Sequence, residues 1–207
     1  MYRRVRRITV YLLLAGGLWM AAADATEGGE RPKHWAQSLP LKGVPNLHQL
    51  DAVLYRSAQP TAEGMRNLRE LGIETVVNLR SLHSDRDAIG DTGLAYEYIY
   101  MKAWHPEEED IVRFLQIVCN PKRQPVLVHC QHGADRTGTM CALYRIVVQG
   151  WTKEEALREM QEGGYGFHSV FANLPRFVDS LDLAAIRRRA GLPPVATTEP
   201  AKVPANP

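Results

Sequence analysis

The sequence VLVHCQHGADRTGTMCAL, residues 126–143, carries the strongest structural signal in the chain. Pro125–Cys130 forms a short apolar run that predicts a buried strand, and Thr137–Gln149 has the character of a helix. A turn between a strand and a helix can wrap its backbone N–H groups around an anion at the helix N-terminus. Gly133 permits the positive φ that such a wrap requires. We therefore expect a strand, an anion-binding loop and a helix in succession.

The residues at the two ends of this loop predict its chemistry. Five residues separate Cys130 from Arg136, and Thr137 follows directly. Arg136 can direct two N–H groups onto phosphate oxygens, and the loop amides and helix dipole favour a thiolate at Cys130. A thiolate in that position attacks phosphorus and forms a phosphocysteine. His129 is expected to orient the loop through the backbone, and Thr137 to donate to the sulfur and ease its departure.

The whole run His-Cys-x-x-Gly-x-x-Arg-Thr-Gly is more specific than its parts. A buried Cys and a loop Arg five residues apart occur often by chance, whereas the full run between a strand and a helix does not. A rhodanese-type sulfurtransferase also uses a loop Cys, but usually in a different loop without the following Thr-Gly. The predicted phosphate-binding residues are Gln131, His132, Gly133, Ala134, Asp135 and Arg136.

Outside the loop, strands alternate with helices along the chain. The predicted strands are 52–57, 73–79 and 94–101, and the predicted helices are 61–71, 107–118, 152–160 and 173–190. Thr152 and Glu155 have the spacing of a capping box at the start of one helix. The alternation predicts an α/β sandwich, in which a central sheet of four or five strands is flanked by helices.

Composition excludes several classes of protein. The 207 residues are 45% hydrophobic and 23% charged and include three Cys, so the chain is neither disordered nor disulfide-dense. The net charge is +2, but four of the 25 basic residues lie in the first seven positions, and the remaining 21 face 23 acidic residues. Nucleic acid is therefore not an expected partner. No cofactor is expected, and no spacing of His, Cys and carboxylates predicts a metal site.

The two ends of the chain differ from its body. Residues 1–23 have a cationic start, an apolar run and small residues at Ala21 and Ala23, which predicts a secretory signal and a periplasmic or secreted protein. An uncleaved leader would instead anchor the protein in the inner membrane, the one case in which membrane contact is expected. Residues 24–43 are assigned to a linker, 44–190 to the catalytic domain and the Pro-rich 191–207 to a disordered tail.

The run HCQHGADRTG, residues 129–138, resembles the signature of the cysteine-dependent dual-specificity and tyrosine phosphatases. The flanking segments 54–60, 72–80 and 142–151 look like exported bacterial tyrosine phosphatases of that family, and the resemblance spans about Val44 to Leu183. It implies a dual-specificity-phosphatase-like fold and a metal-free phosphomonoester hydrolase that works through a phosphoenzyme on Cys130. The implied partner is a protein carrying phosphotyrosine, with phosphoserine and phosphothreonine as a wider specificity.

The resemblance also implies a general acid, and here the sequence departs from the family. Dual-specificity members carry this Asp on a loop after the preceding strand, whereas the corresponding loop here, 101–110, has His105 at the aligned position and Glu107 after Pro106. Asp135, inside the loop, resembles the cradle Asp of triple-specificity and lipid phosphatases. Asp135 is the leading candidate, and His105 and Glu107 remain open. The further carboxyl candidates are Asp85, Glu108 and Asp110.

Several alternatives stay open at this point. The site could belong to a phosphoinositide or inositol-phosphate phosphatase, or to an inactive phosphate-binding module. The Gly-rich stretch Glu162–His168 is either an inter-helix loop or a flap that brings His168 to the substrate. A disulfide between Cys119 and Cys130 would inactivate an exported enzyme.

Overall fold

The computed structural model describes residues 31–194, which form a six-stranded sheet with helices on both faces. The α/β sandwich is thereby confirmed, with more strands than the four or five expected. The strands are β1 (Gln37–Ser38), β2 (His48–Gln49), β3 (Leu54–Ser57), β4 (Thr75–Asn78), β5 (Ala95–Tyr98) and β6 (Val126–His129). The additional strands β1 and β2 have two residues each, too few to produce an alternating pattern in the sequence.

The order across the sheet is β1-β2-β3-β6-β4-β5. The last four strands in this order pair in parallel, while β1 and β2 are antiparallel additions at one edge. His129 pairs with Ser57 on one side and with Asn78 on the other. The carboxyl ends of β3, β6 and β4 therefore meet at one edge, and Cys130 follows at the centre of that edge, where parallel sheets place their ligand sites.

Within residues 31–194 the chain forms seven α-helices. They are α1 (Ala62–Glu70), α2 (Arg86–Ile89), α3 (Glu108–Val118), α4 (Asp135–Val147), α5 (Lys153–Glu162), α6 (Asn173–Ser180) and α7 (Leu183–Arg189). Helices α1 and α2 share a core with Leu127 on one face of the sheet, and the other five share a core with Val126 and Val128 on the opposite face, where α5 and α6 pack against α4 and α7 packs against α3. Every residue of α4 except Arg136 is buried, so the helix that carries the arginine is the rigid centre of the domain.

Two helix predictions need correction. The predicted helix 173–190 is two helices, because Leu181 adopts an extended conformation and Asp182 starts α7 by accepting hydrogen bonds from the N–H groups of Ala184 and Ala185. The helix after the loop begins at Asp135 rather than Thr137, which brings Arg136 into its first turn. The capping box of Thr152 and Glu155 is confirmed at the start of α5.

Residues 31–43, assigned to a linker from the sequence, are part of the folded body. Ala36 is fully buried, its N–H donates to Glu159 Oε1 at 2.6 Å, and Gln37–Ser38 pairs with β2. The predicted leader 1–23 and the predicted tail beyond Pro194 lie outside the described residues. Between residues 31 and 194, no helix combines the length and the apolar character needed to cross a membrane.

Candidate active site

The loop between β6 and α4 is held by hydrogen bonds to its carbonyl groups. Asn46 Nδ2 donates to the His132 oxygen at 3.0 Å, and Arg56 Nη2 donates to the Gly133 oxygen at 2.7 Å. The oxygens of Gln131 and Ala134 accept from the backbone N–H groups of Gln59 and Gly138 at 3.2 and 2.8 Å. The carbonyl groups of the loop are thus engaged by the surrounding protein, and its opposite side is left to the N–H groups.

The N–H groups of residues 131–136 donate to no protein acceptor in the described part of the chain. They lie at the N-terminus of the 13-residue helix α4, where the helix dipole adds partial positive charge. Consecutive unpaired amides at a helix N-terminus form a binding site for an anion with several oxygens. We call residues 130–136 the cradle.

Gly133 determines how closely the cradle packs against the sheet. Its φ is +70°, and a Cβ at this position would lie 2.5 Å from backbone atoms of Ser57 and Ala58 at the end of β3. Any other residue would therefore meet both an unfavourable backbone conformation and immovable backbone atoms. This contact makes the shape of the cradle depend on β3.

Arg136 is fixed beside the cradle by the ends of two strands. Its Nη1 donates to the carbonyl oxygens of Leu79, just after β4, and Met101, after β5, at 3.1 and 3.4 Å. These bonds use one side of the guanidinium and leave Nε and Nη2 for a ligand. A planar guanidinium held in this way can bind two oxygens of a phosphate together.

Cys130 lies at the base of the cradle with 2% of its surface exposed. Its neighbour His129 is fully buried, with Nδ1 3.2 Å from the Cys130 carbonyl oxygen and Nε2 2.7 Å from Asp85 Oδ2. Burial by itself would raise the pKa of Asp85, but the hydrogen bond and charge of His129, together with Gln59, hold that pKa below its ordinary value. Both oxygens of the fully buried Asp85 carboxyl are engaged, Oδ1 by Gln59 and Oδ2 by His129, so Asp85 positions His129 and does not face a leaving group in the cradle.

Asp135 and His168, 33 residues apart in the sequence, form a pair beside the cradle. Asp135 is 5% exposed, and its Oδ1 accepts from the backbone N–H of His168 at 2.8 Å. Its Oδ2 lies 2.9 Å from His168 Nδ1. The Gly-rich stretch Glu162–His168 thus reaches the site through its last residue, and it does so by contacting Asp135.

The other acid candidates lie on the loop between β5 and α3 and in the first turn of α3. His105 and Glu107 are exposed, and Glu107 pairs at 3.8 Å with Lys102 of the same loop. Neither side chain hydrogen-bonds to a cradle residue within residues 31–194. Asp110 is half-buried, and burial, with the charges of Glu107 and Glu109, raises the pKa of its carboxyl to about 6.

Thr137 does not make the hydrogen bond to sulfur that its position predicts. Its hydroxyl is fully buried and has no hydrogen-bond partner among the described residues. Leaving a buried hydroxyl without a hydrogen bond costs about 1–3 kcal/mol of folding free energy. Because it has no partner within residues 31–194, this hydroxyl is available to bond to a ligand, or to the sulfur after rotation about χ1.

Arg56 supports the cradle and was not predicted as a site residue. This side chain is 1% exposed, it donates to the cradle carbonyls, and its guanidinium lies over the Tyr165 ring at 3.6 Å. A buried cation beneath the loop adds to the positive field around a bound anion. A charged residue inside the predicted strand 52–57 is the sequence signal that could have identified it.

All three cysteines are free thiols in this structure, so the alternative of a Cys119–Cys130 disulfide is not realised. Cys119 follows α3 near the start of β6, and Cys130 follows the end of that strand. Four strand residues separate the two ends by about 13 Å, and a disulfide needs Cα atoms within about 7 Å. Burial raises the pKa of the Cys141 thiol to about 11, which leaves that thiol unreactive.

A sulfur beneath a ring of amides, with a fixed guanidinium at one side, provides what a cysteine-dependent phosphatase requires: a nucleophile and a cradle for the phosphoryl oxygens. Residues 42–170 match the family model described as DSP-PTPase phosphatase fused to NAD+ kinase. The chain belongs to this family of cysteine-dependent dual-specificity and tyrosine phosphatases.

Individual relatives agree with this assignment. The dual specificity protein phosphatase TpbA of Pseudomonas aeruginosa is 35% identical over 84% of this chain and 78% of its own length. Its crystal structure superposes with a TM-score of 0.70 at 33% identity, covering 78% of this chain and 99% of that one. A Cys-to-Ser variant of TpbA in complex with pTyr superposes with a TM-score of 0.69 at 33% identity, covering 78% of this chain and 98% of that one. The catalytic core of the PP-IP phosphatase SIW14 from Saccharomyces cerevisiae, in complex with citrate, shares the fold. Its TM-score is 0.61 at 24% identity, and the match covers 75% of this chain and 94% of that one.

Proposed function

We propose that this protein removes phosphate from phosphotyrosine in proteins, and with lower selectivity from phosphoserine and phosphothreonine, through a phosphocysteine on Cys130. The observation that carries the proposal is the cradle: its carbonyls are engaged by the protein, its amides are unpaired, and Cys130 and Arg136 lie at its two ends. The relative TpbA, whose variant was crystallised with pTyr, supports the choice of phosphotyrosine.

In the first chemical step the Cys130 thiolate attacks phosphorus and the bond to the leaving oxygen breaks. The cradle amides and the Arg136 guanidinium hold the three phosphoryl oxygens, whose charge they stabilise in the transition state. In the second step water attacks phosphorus, the S–P bond breaks, and the thiolate and inorganic phosphate are released. Each step exchanges one bond to phosphorus for another and needs no redox cofactor.

Asp135 is the general acid in this mechanism. Its carboxyl gives a proton to the leaving oxygen and, as a carboxylate, takes one from the attacking water in the second step. Asp135 is buried, but its partner His168 has 47% of its side chain exposed. His168 therefore links the carboxyl to solvent, and the proton that Asp135 gives up in the first step is regained from the attacking water in the second.

The surface around the cradle supports a protein substrate. Large exposed apolar side chains lie on the loops that follow β4 and β5 and directly after His168, with 89% of Leu82, 69% of Trp104 and 80% of Val170 exposed. Apolar side chains around a polar pocket suit a phosphorylated peptide. An inositol phosphate would require additional cations, and the cradle itself offers only His132 besides Arg136.

Export is part of the proposal and rests on residues 1–23, whose cationic start, apolar run and Ala21-x-Ala23 pattern fit a secretory signal. The protein would act in the periplasm or outside the cell, or at the inner membrane if the leader is retained.

The test is a substrate panel of a phosphotyrosine peptide, a phosphoserine peptide and a soluble inositol phosphate, with Cys130→Ser as the blank. We expect the highest kcat/KM on the phosphotyrosine peptide, a burst of product in rapid-mixing experiments, and a trapped phosphoenzyme that is absent from Cys130→Ser. A preference for the inositol phosphate would contradict the substrate assignment. Absence of both burst and turnover would identify a phosphate-binding module instead.

A further inference from the structure

Three side chains at the mouth of the cradle bring metal-binding atoms together. His132 and Asp135 lie in the cradle, and His168 reaches them from the segment after α5. One ligand atom from each residue lies within 4.8 Å of the other two, and His168 Nδ1 and Asp135 Oδ2 are 2.9 Å apart. The ring centroids of His132 and His168 lie 5.3 Å apart, with the ring planes tilted by 56°.

This set of donors suits a transition-metal cation. Two imidazoles and one carboxylate are ligands of zinc and its neighbours, whereas magnesium and calcium prefer oxygen ligands alone. Zinc bound at about 2.0–2.2 Å in a tetrahedron places neighbouring donors about 3.3 Å apart. The side chains of His132 and His168 are exposed and free to rotate by the small amount needed, while Asp135 is fixed at the start of α4.

We propose that His132, Asp135 and His168 form a binding site for a divalent cation of the zinc class, and that this cation inhibits the phosphatase. The fourth position of the metal would be open to water. Inhibition follows because the cation engages the Asp135 carboxylate, the group that gives and takes the proton in the catalytic cycle, and His168 Nδ1 beside it. The inhibitory consequence rests on the proposed function, whereas binding of the cation does not.

Residues 132, 135 and 168 are too widely spaced to predict a metal site from the sequence. His132 and Asp135 approach each other because the cradle turns into α4, and His168 is brought to them by its backbone hydrogen bond to Asp135. The same bond gives the carboxylate a fixed direction, which is the usual role of a group next to a metal ligand.

Binding is measured on the full chain, stripped of metal with a chelator, by titration calorimetry with Zn²⁺ and by the visible absorption of bound Co²⁺. The variants are His132→Gln, His168→Gln and Cys130→Ser, with His34→Gln as a matched control, since His34 is an exposed histidine that packs edge-on against Trp151. Mg²⁺ is titrated in parallel. Thermal unfolding verifies that each variant is folded.

We expect one Zn²⁺ per chain, bound by the wild type, His34→Gln and Cys130→Ser, and no binding of Mg²⁺. His132→Gln and His168→Gln should each weaken Zn²⁺ binding by more than about 100-fold. Removing a residue that only hydrogen-bonds to a metal ligand costs roughly 10–100-fold, and loss of a ligand itself should cost more. Zn²⁺ should inhibit phosphatase activity in the wild type and in His34→Gln, over the concentration range in which it binds.

Unchanged affinity in both His132→Gln and His168→Gln would overturn the proposal. Loss of binding in Cys130→Ser would also overturn it, because the thiolate would then be the ligand. If the chain binds Zn²⁺ but hydrolyses none of the phosphorylated substrates, the metal site is supported and the proposed function is refuted. If the chain hydrolyses the substrates but binds no Zn²⁺, the proposed function is supported and the metal site is refuted.

Discussion

Asp135 and Arg136 are adjacent residues of the cradle with different proposed roles. Because α4 begins at Asp135, both side chains belong to its first turn, yet Arg136 is held by carbonyls at the strand ends and Asp135 by His168. Consecutive residues of a helix do not face each other, so the two side chains leave α4 in different directions. The hydrogen bonds to Leu79 and His168 then fix each side chain in its own direction.

The assignment of Asp135 as the acid makes a prediction at this scale. Asp135→Asn should lower kcat on an alkyl phosphate by about 10²–10⁴-fold, because the poor leaving group needs the proton. The loss should be much smaller on p-nitrophenyl phosphate, whose leaving group is stable as an anion. A pH–rate profile for both substrates measures this, and the basic limb should disappear in the variant.

His105→Gln and Glu107→Gln are the matched comparisons, since both side chains are exposed and neither forms a hydrogen bond to a cradle residue within residues 31–194. Both variants should keep the wild-type dependence on the leaving group. Full activity of Asp135→Asn on the alkyl phosphate would refute the assignment, and a selective loss in either comparison variant would transfer the role to that residue.

At the scale of elements, the start of α3 combines a favourable and an unfavourable arrangement of charge. Residues 107–110 are all acidic and lie at the positive end of the helix dipole, which stabilises carboxylates. Asp110, however, is half-buried next to Glu107 and Glu109, and the pKa of its carboxyl is raised to about 6. Ionisation of this group therefore opposes folding at neutral pH.

Asp110→Asn should consequently stabilise the protein at pH 7 by about 1 kcal/mol, after allowance for solvent screening of a half-exposed group. Because the folded state holds the proton more tightly than the unfolded state, the penalty grows as the pH rises from the ordinary value of 3.8 to about 6. The gain should be complete above pH 6 and vanish below 3.8.

Urea unfolding at several pH values measures this difference. Asp91→Asn, which removes an exposed carboxyl elsewhere, should show no such dependence. An Asp110→Asn variant that is less stable than the wild type at pH 7 would show that the helix dipole outweighs burial at this position.

At the scale of the whole molecule, a buried ion pair ties the segment before β1 to the helices. Arg145 of α4 donates to Glu159 of α5 from Nε and Nη2 at 2.8 and 2.9 Å, and both side chains are almost fully buried. Glu159 also accepts from the Ala36 N–H and from the Tyr165 hydroxyl, whose ring lies beneath Arg56. The network thus connects residues 31–36 to Arg56, the residue that donates to the cradle carbonyls.

Replacing one partner should be costly, because it leaves the other charge buried and unpaired. We expect Glu159→Gln to lower the free energy of unfolding by about 3–5 kcal/mol. The matched variant is Glu63→Gln, which breaks the exposed pair of Lys42 and Glu63 and should cost at most about 1 kcal/mol. Equal stabilities of the two variants in urea unfolding would contradict this role for the network.

Much of the fold could be predicted because its local signals are strong. The apolar run before Cys130, the Gly133 turn and the Thr152 capping box each act within a few residues, and each predicts the element that the structure contains. The strands β1 and β2 and the break at Leu181 could not be predicted, because two-residue pairing and a single extended residue leave no periodic signal. Arg56 was missed because its role consists of contacts with residues far along the chain.

The family, and the predictions of Cys130 as nucleophile and Arg136 as phosphate ligand, follow from the amino-acid sequence alone, since all three depend on a contiguous run whose backbone forms the cradle. Tertiary structure decided what surrounds that run. It placed His168 on Asp135, Asp85 on His129 and Arg56 beneath Gly133, across separations of 33, 44 and 77 residues. Pairs so distant in the chain meet only when the sheet and helices pack, so no local pattern encodes them.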